Sequence, residues 1–207
     1  MELNVWLALL AAALLISLSP GAGAITSMSY GLSHGMRNAA FAILGLQVGL
    51  VAQLLIVGVG LGSVIAASET LFRVIKWAGV AYLIWLGVSH WRAAGSIHLK
   101  AAEGGFRPRR AFMQAVLVNL TNPKATVFLV ALLPQFINPA QPQAPQLLII
   151  GITLVAVDVA VMTGYSGLAS RLRRMIANPR ALTRLNRVTG SALVGAALLL
   201  STAHGRS

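Results

Sequence analysis

Two charged residues lie deep inside otherwise apolar segments of the chain. Asp158 is about twelve residues into one such segment, and Lys124 is about thirteen residues into another. At a helical rise of ~1.5 Å per residue, each is ~18–20 Å from the start of its segment. A lone ion in hydrocarbon costs ~2.5–3.5 kcal/mol, so such residues are candidates for ligand binding or proton transfer. An Asp158–Lys124 ion pair with a purely structural role is the alternative.

The remaining polar residues form no recognisable catalytic or metal-binding pattern. The chain has no cysteine, which excludes disulfides, thiolate metal sites and cysteine nucleophiles. The four histidines share no ligand spacing: His34, His90, His98 and His204. Ser166 lies in "GYSGL", which lacks the G-x-S-x-G pattern of serine hydrolases. The sequence therefore predicts no enzyme, no metal site and no cofactor.

Two apolar segments are each interrupted near the middle by a polar stretch that contains proline. These stretches are "SLSPG" at 17–21 and "NLTNPK" at 119–124. Proline has no N–H and clashes with the preceding turn, so it frees backbone carbonyls. In hydrocarbon each unsatisfied group costs several kcal/mol unless it lines a wet cavity or meets a polar partner. Two interruptions at matching positions favour a binding site. A tolerated kink, repaired by local serine, threonine and asparagine side chains, is the alternative.

The composition is that of an integral membrane protein. Of 207 residues, 57% are hydrophobic and only 10% are charged, against ~25% charged in soluble domains. The net charge of +12 does not indicate nucleic-acid binding, because the basic residues fall between the apolar segments. Six segments are long enough to span a bilayer: Leu3–Leu32, Ala39–Ala66, Leu71–Trp91, Ala111–Leu133, Gln146–Ala169 and Val188–Thr202.

The broken spans are the first and the fourth, so each opens one half of the chain. Because each half has three spans, the two halves must run through the membrane in opposite directions. Paired interruptions in an inverted repeat indicate the binding site of a transporter. We therefore predict an all-α, polytopic membrane protein built as one domain, 1–207. Repeat one covers about 1–92, a basic loop about 92–110, and repeat two about 111–207.

Small residues at four-residue spacing accompany these spans. The pairs are Gly45/Gly49 and Gly58/Gly62. Such spacing lets helices approach closely in a membrane, although a glycine-rich chain produces some pairs by chance.

Basic residues concentrate in the loops after spans one, three and five. They are Arg37, then Arg92, Lys100, Arg107, Arg109 and Arg110, and then Arg171, Arg173, Arg174, Arg180, Arg184 and Arg187. The positive-inside rule places these loops in the cytoplasm and both termini in the periplasm. The stretch "MELN" lacks the basic residues of a signal peptide, so we expect the first span to be retained; a signal peptide with its cleavage site at "AGA", residues 22–24, is the alternative.

Several long stretches resemble one family of exporters. They are "SLSPGAGAI", "GLQVGL", "KWAGVAYLIWLGVSHWRAAG", "NLTNPKATVFLVALLPQFI" and "DVAVMTGY", in unbroken order. Together they resemble the lysine-exporter and homoserine-threonine-resistance (LysE/RhtB) translocators, and are most similar to the homoserine and homoserine lactone efflux branch. The resemblance implies a six-span exporter of amino acids and their derivatives in the bacterial inner membrane, driven by the proton gradient. Export of threonine or another amino acid, and a passive channel, are the alternatives.

The resemblance and the two breaks together give a set of site residues. Carried over by position, the family motifs map to Ser19, Pro20, Gly21, Asn122, Pro123, Lys124, Asp158 and Tyr165, and Asn119 joins them at the second break. We predict that the N–H groups after Pro20, with Lys124, bind a substrate carboxylate. Asp158 holds the substrate ammonium or a proton in alternation. The expected partners are the lipid bilayer, a small amino-acid substrate and protons, without nucleic acid; a homo-oligomer is left open.

Overall fold

The computed structural model describes residues 1–67, 105–138 and 140–171, with isolated residues between 70 and 92 and between 187 and 195. Its continuous stretches form five helices and no strand: α1 Leu3–Leu18, α2 Ala22–Ala67, α3 Pro108–Leu120, α4 Pro123–Phe136 and α5 Gln143–Arg171. The predicted all-α fold is therefore confirmed for these residues. Most of the third and sixth predicted spans, and the basic loop from 93 to 104, lie outside the described residues.

The first break lies between α1 and α2, as "SLSPG" predicts. Ser19 is extended, with φ −75° and ψ 115°, which is the conformation that a following proline favours. α1 therefore ends at Leu18, and the chain becomes helical again at Ala22. Pro20 is buried at this point.

The long helix α2 is a hairpin with two arms, residues 22–34 and 36–67, which join at Gly35. Gly35 has φ 76° and ψ 167°, a conformation that glycine adopts far more readily than other residues. A Cβ placed on Gly23 would lie 3.5 Å from Leu46, whereas a straight helix would separate these residues by ~35 Å. The arms therefore fold back on each other, in agreement with the predicted boundary between spans one and two.

The second break lies between α3 and α4, whose axes differ in direction by 50°. Asn122 caps α4 by accepting a hydrogen bond from the backbone N–H of Lys124 at 3.1 Å. Pro123 follows as the first residue of α4, where its missing N–H costs nothing. The polar stretch "NLTNPK" thus ends one helix and starts another.

Among the described helices, two are long and apolar enough to cross a membrane, and a third span results if the bent α3–α4 pair counts as one. The two are Ala22–Gly58 and Gln143–Arg171. Since Ala22–Gly58 includes the turn at Gly35, it comprises parts of both arms. Large apolar side chains are exposed along the helices, as lipid-facing residues are: Leu7, Leu44, Leu55, Leu117, Leu148 and Ile152.

Close helix contacts form at two of the four predicted glycines. Gly45 packs against the backbone of Phe112, and a Cβ on Gly49 would lie 2.8 Å from Asn119 Cβ. The second arm of α2 therefore approaches α3 at a distance that only glycine allows. Gly58 packs less tightly, against Leu147, and the surroundings of Gly62 lie outside the described residues.

Two apolar cores form within the helices. The first core includes Leu9, Leu54, Leu129, Ile150 and Leu154. The second core includes Met28, Ile43, Leu46, Ala115 and Met162. Asp158 lies on α5 between the residues that belong to the first core and those that belong to the second.

Candidate functional site

A small cavity lies between the two helix breaks. Its volume is about 60 Å³, which is room for a few water molecules. Its polar lining comes from both breaks and from α5: Ser17, Ser19, Gly21, Asn119, Asn122, Lys124 and Asp158. Apolar residues of both cores complete the wall, among them Leu46, Leu129 and Met162.

At the first break, the carbonyls freed by Pro20 are satisfied by side chains from the second half of the chain. Tyr165 donates its hydroxyl to Leu18 O at 2.7 Å. Lys124 donates from Nζ to Ser19 O. These long-range contacts compensate for the interrupted helix.

At the second break the arrangement is reciprocal, because a residue of the first half satisfies the freed carbonyl. Gln53 donates from Nε2 to Leu120 O at 3.2 Å and to Thr126 Oγ1 at 2.7 Å. Asn119 donates across to Leu46 O at 2.6 Å, which ties α3 to the second arm of α2. Each break therefore receives a hydrogen bond from a side chain of the opposite half, and at the second break Thr121 and Thr126 also donate locally to Leu117 O and Asn122 O.

Asp158 accepts hydrogen bonds on both carboxylate oxygens. Ser17 donates to Oδ1 at 3.2 Å, and Gln47 donates from Nε2 to Oδ2 at 2.8 Å. Ser17 comes from α1 and Gln47 from the second arm of α2, so two neighbouring helices orient the carboxylate. Hydrogen bonds to a charged acceptor contribute about 1.5–3 kcal/mol each, which offsets part of the cost of burying the ion.

Lys124 also lines this cavity, and its side chain lies against Gly21. A Cβ on Gly21 would lie 3.3 Å from Lys124 Cδ and 3.4 Å from Nζ. The lysine stem therefore occupies the space that a side chain at position 21 would fill. This contact joins the residue after Pro20 to the residue after Pro123.

The direct ion pair between Asp158 and Lys124, the alternative that the sequence left open, is not formed. In the part of the chain that the structure describes, Lys124 donates to a backbone carbonyl, and Asp158 accepts from a serine and a glutamine. The physical reason is that neutral polar groups of the broken helices lie closer to each charge and satisfy it. Both charges still line one cavity, so each is placed to meet a small zwitterion.

Most of the predicted site residues meet at this cavity. Ser19, Gly21, Asn119, Asn122, Lys124 and Asp158 line it. Pro20 and Pro123 set the two breaks, and Tyr165 contacts the first break from α5 without lining the cavity. Sequence reasoning missed Gln47 and Gln53, although "GLQVGL" includes the first. A glutamine inside an apolar span is the signal that could have found both.

No group of three or more metal-ligating side chains occurs among the described residues. The polar atoms at the cavity are hydroxyls, amides, one carboxylate and one ammonium. Such a set suits hydrogen bonding to a small polar molecule.

Comparison with known proteins agrees with the resemblance noted in the sequence. A family model described as LysE type translocator matches residues 14–204. A homoserine/homoserine lactone efflux protein of Salmonella typhi is 51% identical over 201 residues, which cover 96% of this chain and 97% of the relative.

Two further relatives cover the chain almost fully. An uncharacterized membrane protein of Vibrio cholerae is 46% identical over 98% of this chain and 99% of its own length. A leucine efflux protein of Enterobacter sp. strain 638 is 28% identical over 98% of this chain and 97% of its own length. No solved structure gives a significant match. The resemblance is thereby confirmed, and the chain belongs to the LysE type translocator family.

Proposed function

We propose that this protein exports small amino acids and their derivatives, with homoserine and homoserine lactone as its main substrates, across the bacterial inner membrane. The proton gradient drives the export, and Asp158 carries the proton. The relative named as a homoserine/homoserine lactone efflux protein, 51% identical over nearly the whole chain, supports this substrate class. More distant relatives named leucine efflux proteins support amino-acid export in general.

The proposed architecture is a single domain, 1–207, of six spans in two inverted repeats, with about 92–110 as the cytoplasmic loop between them. The reciprocal completion of the two breaks supports it. In a pseudo-symmetric molecule, residues of each half meet the break of the other half near the centre. Gln53 at the second break, and Lys124 and Tyr165 at the first, fit that expectation.

Substrate binds in the cavity between the breaks. Its carboxylate meets the N–H groups that begin α2 after Pro20, where the positive end of the helix dipole favours an anion. Lys124, whose side chain lies against Gly21, adds a positive charge beside these N–H groups, and the amides of Asn119 and Asn122 provide further hydrogen bonds. Asp158 binds the ammonium group. Homoserine lactone has no carboxylate, so its binding depends more on Asp158.

The carrying observation is that Asp158 and Lys124 share one cavity and yet hydrogen-bond to neutral groups instead of to each other. A structural ion pair would leave neither charge available. Here a ligand can approach both charges at the cost of displacing neutral partners. Protonation of Asp158 would then release the ammonium group, which is the alternation that proton–substrate antiport requires.

A resistance test examines this function. The protein is expressed in a bacterium sensitive to homoserine, homoserine lactone and threonine, and the growth-inhibiting concentration of each compound is measured. We expect the inhibiting concentrations of homoserine and its lactone to rise, and that of threonine to rise less. The variant Glu2→Gln, which changes an exposed acid outside the site, is the control and should behave as wild type. A larger effect on threonine would reassign the substrate, and no effect on any amino acid would contradict the proposal.

A further inference from the structure

Only one of the two polar atoms in the side-chain amide of Gln47 makes a hydrogen bond. The residue is 7% exposed on the second arm of α2 and donates from Nε2 to Asp158 Oδ2. Its Oε1 is buried without a hydrogen-bond partner in the structure. A buried unsatisfied acceptor costs about 1–3 kcal/mol, so native proteins retain few of them. The unsatisfied Oε1 is bonded to the same carbon, Cδ, as the Nε2 that donates to the carboxylate.

The two protonation states of Asp158 need different atoms from their neighbours. The carboxylate accepts hydrogen bonds only, whereas the protonated carboxyl group also has an O–H to donate. Ser17 serves both states because its hydroxyl donates and accepts. Gln47 serves the carboxylate through Nε2, and after a half-turn of the amide it serves the protonated group through Oε1. This turn exchanges two atoms of similar size and requires little repacking.

We infer that Gln47 is the positioning residue that holds Asp158 in both protonation states, donating to the carboxylate and accepting from the protonated carboxyl group. The inference rests on the proton-driven export proposed above. The proton comes from periplasmic water to Asp158 and leaves to cytoplasmic water, and Gln47 neither gains nor loses a proton. The amide group rotates by half a turn when Asp158 is protonated and rotates back when Asp158 releases the proton.

The other groups that face Asp158 from the neighbouring helices are less suited than Gln47 to bind both of its protonation states. In the described part of the chain, α1 contributes Ser17, and α4 contributes Lys124, the other charged side chain at the cavity. α3 contributes Asn119, whose Nδ2 is engaged by Leu46 O. Lys124 cannot accept a hydrogen bond in its charged form. Gln47 is therefore the direct contact that offers separate donor and acceptor atoms.

Gln53 supplies a matched control on the same helix. It is also a buried glutamine, 4% exposed, and its Oε1 is also buried without a partner in the structure. Its Nε2, however, contacts Leu120 O and Thr126 Oγ1 at the second break and not Asp158. Substitution by methionine removes the amide and keeps an unbranched side chain of similar length at either position.

The experiment compares Gln47→Met, Gln53→Met and wild type as full-length protein reconstituted in lipid vesicles. The rate of proton-driven homoserine transport is measured as a function of pH. We expect Gln47→Met to move the midpoint of the pH profile by about one unit toward higher pH, because the bond lost by the carboxylate is stronger than the one lost by the protonated group. Gln53→Met should lower the rate without moving the midpoint.

Each outcome separates this inference from the proposed function. An unmoved midpoint in Gln47→Met, with proton-driven transport intact in wild type, overturns the role of Gln47 alone. An equal shift in Gln53→Met overturns it as well, since helix packing would then be the cause. Wild-type transport that does not respond to pH overturns the proposed function. If Gln47→Met does not fold, Gln47→Asn keeps a polar amide but is one methylene shorter and so loses the contact with Asp158, and the same shift is expected.

Discussion

Asp158 and Lys124 show what residue identity alone predicts and what it does not. Their depth in apolar segments marks both as unusual, because an intramembrane ion is costly wherever the helix points. Their hydrogen-bond partners depend on how each helix is rotated about its axis, which the sequence does not fix. For that reason the sequence raised a direct ion pair as the alternative but could not decide whether it forms. Gln47 was missed because an uncharged amide carries no comparable penalty and so gives no strong signal.

At this scale we predict that Asp158→Asn abolishes uphill export and retains downhill exchange. Asparagine is nearly isosteric and can still accept from Ser17, but it cannot carry a titrating proton. Uphill export and homoserine counterflow are measured separately in the same vesicles. Full uphill export by the variant would show that another group carries the proton.

Because Asp158 and Lys124 do not pair directly, Asp158→Asn should insert and fold without a second change. Its yield in the membrane and its thermal unfolding in detergent are compared with those of wild type. If the variant fails to fold and Lys124→Gln restores folding, the two charges have the structural role of an ion pair.

At the scale of secondary-structure elements, the positions of the two helix breaks can be predicted from the sequence, whereas their hydrogen-bond partners cannot. Prolines and polar residues place both breaks in the sequence, and local rules for proline and for helix capping fix them to within a few residues. Their completion is long-range: the partners of Leu18 O and Leu120 O are 147 and 67 residues away in the sequence. Periodicity and propensity describe a few turns of helix, so they cannot supply such partners. The turn at Gly35 was predictable only as a gap between two spans.

For the first break we predict that Pro20→Ala yields an inserted protein that no longer exports. Alanine lets the helix continue through residues 19–21. The carbonyls of Leu18 and Ser19 then accept hydrogen bonds within the helix and no longer need those from Tyr165 and Lys124. If the break were only a tolerated kink, the substitution would keep export and raise stability by up to ~3 kcal/mol. Pro134→Ala is the matched control, since Pro134 lies inside α4 away from the cavity. Export and thermal unfolding of both variants decide between the two cases.

At the scale of the whole molecule, the structure shows which loop regions lie at the same end and so bears on its orientation in the membrane. Phe106, just before α3, contacts the rings of His34 and Phe41 on either side of the Gly35 turn. The turn that carries Arg37 and the end of the basic loop therefore lie at the same face, and that this face is cytoplasmic stays a prediction. The number of spans and their inverted relation depend on segments outside the described residues, and they stay predictions.

Cysteine labelling tests this polarity directly, because the chain has no cysteine of its own. We expect Ala140→Cys, in the uncharged loop between α4 and α5, to react with a membrane-impermeant maleimide on cells whose inner membrane is intact. Gly105→Cys, beside Phe106, should react only after the inner membrane is permeabilised. Both positions are exposed, so accessibility within the protein does not bias the comparison. The reverse pattern would invert the proposed topology.

The most direct test of proton-driven export uses everted inner-membrane vesicles, whose outer surface is the cytoplasmic face. Respiration acidifies their interior, and radiolabelled homoserine is added outside. Vesicles that contain the protein should accumulate homoserine above the external concentration and lose it when a protonophore is added. Vesicles without the protein should not accumulate it. Simple equilibration of homoserine, or accumulation that survives the protonophore, would contradict proton-driven export by this chain.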